Sequence, residues 1–195
     1  MRLLKLLLVL FVCAAAKPVL AGPFEDAMAA YNKRNYATAL RLMRQLAEQG
    51  VAPAQYKLGS WYSTGLGAPL DYATAVSWLR KAAEQGHAPA QTELGTLYRT
   101  GQGVPQDHVT AVSWYRRAAD QGDAYAQKYL GTSYRDGKVV PTDYVQAYKW
   151  FALAVPSGPV GLGTRERDSV AKKMTPAQVA EGQRLVGEWK PKPER

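Results

Sequence analysis

The chain of 195 residues has a single cysteine, two histidines and three phenylalanines. One cysteine, Cys13, makes no intramolecular disulfide and supplies no zinc site of the usual Cys/His spacing. His87 and His108 are too far apart to share one turn of a helix as a metal pair. No G-x-S-x-G elbow or H-E-x-x-H pattern is present. GQGVPQD at 101–107 has two glycines of a phosphate loop but lacks the third, follows no strand and contains a proline, so it reads as a turn. These absences weaken the case for redox, metal and nucleophilic chemistry. No catalytic, cofactor-binding or metal-ligating residue is assigned, and no cofactor is expected. Hydrophobic residues make up 47% and charged residues 21%, which is a globular composition and not a disordered one.

The only long apolar run is at the start. Arg2 and Lys5 precede an uncharged stretch from Leu6 to Ala16, and Val19-Leu20-Ala21 offers a cleavage site before Gly22. Lys17 and Pro18 interrupt the run short of the ~20 apolar residues that a spanning helix needs. Residues 1–21 therefore read as a secretory signal peptide. Val12 before Cys13 argues against a lipidation site. The expected mature protein is periplasmic or secreted and cysteine-free. Loss of Arg2, Lys5 and Lys17 lowers its formal charge from +9 to +6. The bases are dispersed; Arg116-Arg117 and Lys172-Lys173 are pairs and not a patch, so nucleic acid is not an expected partner.

Self-similarity organises the middle of the chain. AEQG at 47–50 returns as AEQG at 83–86 and ADQG at 119–122. Ala54-Gln55, Leu58-Gly59, Tyr62, Gly65, Asp71, Ala75 and Trp78 recur at intervals of 36 residues through Trp114 and Trp150. Each unit reads as a helix hairpin. Ala54, Leu58 and Tyr62 share a face of the first helix. Gly59 and its equivalents predict a close approach by a neighbouring helix backbone. Gly65 suits a left-handed helix end, and Asp71, Asp107 and Asp143 suit N-caps. Ala75, Trp78, Leu79 and Ala82 form the buried face of the second helix. On that reading Trp114→Ala should cost about 3–5 kcal/mol if the ring is fully buried. Asp107-His108 invites an acid–base interpretation, but Asp107 is the repeated cap and His108 stands where Tyr72 and Tyr144 stand, so a surface packing role is expected. His87 occupies a variable inter-repeat turn, where the other units have Val51 and Asp123.

The combination of AQ-x-x-LG-x-x-Y, GxGVPxD and A-x-x-W-x-x-x-AA over residues 47–154 resembles the Sel-one-like repeat family, a branch of the tetratricopeptide-like helical repeats. The second unit matches best. The third has Val139 in place of the second loop glycine, and an altered loop is expected there. The resemblance implies an all-α superhelical solenoid. Its parts would be a capping helix pair at 22–49, repeats at 50–85, 86–121 and 122–155, a Pro/Gly linker at 156–163 and capping helices and tail at 164–195. Thr175-Pro176-Ala177-Gln178 is a helix start with a capping box. The family resemblance also implies a non-enzymatic scaffold for a protein or peptide partner in the bacterial envelope or in host contact, working as a monomer. The alternative is a cell-wall glycan binder or an envelope hydrolase such as a β-lactamase-like relative. Cysteine-rich relatives are linked to β-lactams, but their cysteines are missing here.

In such solenoids the first helices line a concave face. With Ala54, Leu58 and Tyr62 turned inward to the core, the exposed stripe comprises Tyr56, Ser60 and Ser63, then Thr92, Thr96 and Arg99, then Lys128, Thr132 and Arg135. These nine residues vary while the scaffold repeats. They are the candidate protein-binding residues.

Overall fold

A computed structural model describes residues 21–154 and 163–192. The expected signal peptide, apart from Ala21, and nearly all of the linker lie outside them. Ten helices are described: α1 (Ala21–Asn32), α2 (Tyr36–Glu48), α3 (Ala52–Thr64), α4 (Tyr72–Glu84), α5 (Ala88–Thr100), α6 (His108–Gln121), α7 (Ala124–Asp136), α8 (Tyr144–Leu153), α9 (Thr164–Ala171) and α10 (Pro176–Glu188). Consecutive helices pack as hairpins, and α9 and α10 both close over α8. Across the stack, first helices α3 and α5 also meet directly. Among the described residues no helix is long and apolar enough to cross a membrane.

Local chemistry sets the boundaries. Gly65, Gly101 and Gly137 end the first helices with φ of 70°, 74° and 67°, in the left-handed region that glycine enters without a Cβ clash. Asp71, Asp107 and Asp143 cap the second helices by accepting from the backbone N–H groups of Thr74, Thr110 and Gln146. Asn35 does the same for α2, and Thr175 with Gln178 completes the capping box of α10. His87 caps α5 through Nδ1, and Asp123 caps α7. His108 is exposed at the first position of α6. In the third loop, Val139 avoids the positive φ of Gly67 and Gly103, and it packs with Val140 against the core.

Two readings of the core need correction. Trp78 and Trp114 are only half-buried, with Lys81 Nζ and the Arg117 guanidinium 4.2 and 4.7 Å from their ring centroids. The residue after each tryptophan takes the interior position: Leu79, Tyr115 and Phe151 are at most 1% exposed. These side chains explain the helix-interior glycines. A Cβ on Gly59, Gly95 or Gly131 would come within 2.7–2.8 Å of Leu79, Tyr115 or Phe151. The close approach is thus made first by a side chain, with backbone of the partner helix just behind it. Glycine costs about 1 kcal/mol relative to alanine inside a helix, and here that cost opens a socket for a large apolar group.

The invariant glutamines have a separate role. Gln55, Gln91 and Gln127 are buried, and their Nε2 groups donate to the carbonyls of Ala47, Ala83 and Ala119 at 3.0, 3.0 and 3.2 Å. Those carbonyls sit in the last turns of the second helices, where acceptors lack intrahelical donors. Gln85 and Gln121 then donate to Oε1 of Gln55 and Gln91 at 2.7 and 2.9 Å. The turns between repeats are tied by this polar ladder.

Candidate interaction groove

The nine stripe residues are all half-buried on α3, α5 and α7, but they do not form one uniform surface. Tyr56 turns toward the inter-repeat turn, with its ring 4.8 Å from that of His87. Ser60 and Ser63 converge on Glu93 of the next first helix; the Ser63 hydroxyl donates to its Oε1 in a short contact. Burial pushes the Glu93 carboxyl above the ordinary carboxylate range, while Ser63, Ser60 and Lys57 partly offset that effect.

A carboxyl held higher in the folded than in the unfolded state stabilises the fold below its ordinary pKa, and that contribution fades as pH rises through the folded-state value. Wild-type stability relative to Glu93→Gln should therefore decline from acid toward neutral pH. Parallel thermal melts across that range check this, and two parallel curves would show that Glu93 titrates normally.

Thr92, Thr96 and Arg99 form the densest part of the groove. The Arg99 Nε donates to the Tyr115 hydroxyl at 3.3 Å, and Thr96 Oγ1 lies 3.1 Å from the same oxygen. The Tyr129 ring stacks on Tyr115 at 4.8 Å, and the Arg99 guanidinium lies 5.2 Å from its centroid. Arg99 is thus held by two tyrosines from two different helices. Among the described residues it has no carboxylate within ion-pair distance. Among the described residues the buried Thr92 hydroxyl, two turns from Arg99 on the same face, has no hydrogen-bond partner. The oriented Arg99 guanidinium can receive a carboxylate through a forked pair of N–H donors.

The α7 part of the stripe differs. Lys128 Nζ is 2.9 Å from Glu166 of α9, so the C-terminal cap takes its charge. Arg135 pairs with Asp136 at 2.7 Å and rests near the Phe151 ring. Thr132 bonds back to the Lys128 carbonyl. Arg99 and Arg135 are therefore not the equivalent pair that their spacing suggests.

Several groove residues were not singled out from the sequence. Glu93 and Tyr129 share one repeat position with Lys57, one residue past the stripe; the change from Lys to Glu to Tyr beside invariant neighbours was the available signal. Tyr115 was counted as packing, and its hydroxyl is what distinguishes it from Leu79 and Phe151. Glu166 carried no signal, because it lies outside the repeats.

Comparison with known proteins places the architecture. A family model described as Sel1 repeat matches residues 33–51, 52–87, 88–123 and 124–155. A protective antigen from uropathogenic Escherichia coli strains, with an SLR fold, aligns at 37% identity and a TM-score of 0.78 over 86% of this chain and 37% of that one. A Sel1 repeat protein from Oxalobacter formigenes aligns at 28% identity and a TM-score of 0.70 over 86% of this chain and 70% of its own. This chain thus spans little more than a third of the length of the first. No curated protein matches. Four matched repeats across more than half the sequence, on a ten-helix stack with the expected caps and sockets, establish that the chain belongs to the Sel1 repeat family.

Proposed function

We propose that the protein is an exported, non-enzymatic scaffold that holds a protein or peptide partner on its inner face. Sel1 repeat proteins are typically protein-interaction scaffolds. Export rests on the sequence of residues 1–21, and the working unit is a monomer in the periplasm or outside the cell. The observation that carries the reading is Arg99: a guanidinium fixed by Tyr115 and Tyr129, facing the groove and lacking a carboxylate of its own. The favoured ligand element is an acidic side chain or a chain terminus.

Arg99→Ala should weaken partner binding by roughly 2 kcal/mol or more, as expected when an arginine anchor that the partner covers is lost. Stability should change little, about 0.5 kcal/mol for a half-exposed charge. Calorimetric titration of the partner, with a thermal melt of the same sample, checks both. Retention of a peptidoglycan fragment in place of a protein would favour the glycan-binding alternative.

A further inference from the structure

The second-helix side of the stack carries a repeated feature that the groove does not use. Arg44, Arg80 and Arg116 stand one period apart on α2, α4 and α6, and all three are exposed. Each reaches the first helix of the following repeat. There Nη2 donates to the hydroxyls of Tyr62, Tyr98 and Tyr134 at 2.7, 2.5 and 2.6 Å. The guanidiniums of Arg80 and Arg116 also lie 6.0 and 5.7 Å from the ring centroids of their tyrosines.

A guanidinium has five N–H donors, and each tyrosine takes one. Among the described residues none of the three arginines has a carboxylate within ion-pair distance. A free arginine loses side-chain entropy when it is fixed, and the tyrosine contacts have already restrained these three. Lys81 and Arg117, one residue further on, add positive charge over Trp78 and Trp114.

The shape of the charge selects the partner. Glu48, Glu84 and Asp120 follow the three arginines by four residues on the same helices; Asp120 is paired with Lys192 at 2.7 Å, and Glu48 and Glu84 leave an acidic row beside the first two arginines. An anionic bilayer is broad enough to meet both rows, and the acidic one repels it. A single extended chain can follow the arginines alone. We propose that Arg44, Arg80 and Arg116 form a rail that binds an extended acidic polypeptide segment through its carboxylates, on a surface separate from the inner groove.

The test uses the whole mature chain and a labelled poly-glutamate peptide, with affinity read by fluorescence anisotropy over a salt series. Changing all three arginines to glutamine should weaken binding at least about tenfold and flatten its salt dependence, since exposed charge pairing is screened by salt. Changing Tyr62, Tyr98 and Tyr134 to phenylalanine keeps the charges and releases their hold. That variant should bind more weakly than wild type but retain the salt dependence. Arg99→Ala removes the groove's own carboxylate site, and the loss caused by the glutamine changes should be the same in that background, so failure of the rail and failure of the groove are distinguishable. If the triple glutamine variant melts early, the three single Arg→Gln variants replace it, and each should weaken binding about threefold. Unchanged affinity in the glutamine variants would overturn the rail. So would loss of binding in Arg99→Ala alone, or capture of phosphatidylglycerol vesicles without capture of poly-glutamate.

Discussion

Phe151→Ala should destabilise the protein by about 3–5 kcal/mol, the range for removing a fully buried aromatic ring. Phe151 is 0% exposed and sits in the socket left by Gly131, at the junction of the last repeat with the C-terminal cap. Its own helix, α8, is fixed by the Asp143 cap at one end and covered by α9 and α10, so little can collapse into the space. Trp114→Ala should cost clearly less. That ring is half-buried, and part of its contact is with the Arg117 side chain, which can rearrange into water. Urea titrations of the two variants give the comparison directly, provided the slopes match wild type. Equal losses would mean that the tryptophans, and not the residues after them, form the interior spine.

Gly103→Ala is the second large effect, at about 2–5 kcal/mol. Two costs combine. Gly103 has φ +72°, where a residue with a Cβ loses about 1–2 kcal/mol. The added Cβ would also lie 2.4 Å from the Tyr72 carbonyl oxygen and 2.9 Å from the Ala73 nitrogen, because this loop docks on the first turn of α4. Backbone cannot rotate away as a side-chain tip can, and forced repacking adds about 1–3 kcal/mol. Gly50→Ala is the control. It has φ +87° with nothing within 4 Å of the new Cβ, so only the conformational cost applies. A Gly103 variant no less stable than the Gly50 variant would mean that the loop does not seat on α4.

These variants also mark what the sequence could and could not reveal. The caps at Asp71, Asp107, Asp143 and Thr175 and the left-handed stops at Gly65, Gly101 and Gly137 were legible, because each depends on the residue and its immediate neighbours. The repeat architecture was legible for a related reason: one interface recurs three times, so its requirements recur as a period of 36. The choice between Trp78 and Leu79 was not. Adjacent helix positions differ by about 100°, and both fit an apolar stripe spaced by three and four. The groove was half legible. Thr92, Thr96 and Arg99 do come together, because they share one helix face. Lys128 is neutralised by Glu166, and no period encodes the docking of a cap outside the repeats. The arginine–tyrosine contacts join residues 18 apart on adjacent helices, a separation that no single-helix pattern displays.

Site-directed photo-crosslinking tests the central claim of an inner-face partner most directly. Benzoylphenylalanine would be placed singly at Ser60 and Thr92 in the groove, and at Ser77 and Ser113 on exposed positions of α4 and α6. After irradiation in intact bacteria, the groove positions should yield one discrete protein adduct that the outer positions do not. Adding Arg99→Ala to the Thr92 probe should abolish that adduct while expression and melting temperature stay unchanged. An adduct that persists without Arg99, or that forms only from Ser77 and Ser113, would contradict the groove as the site of partner binding.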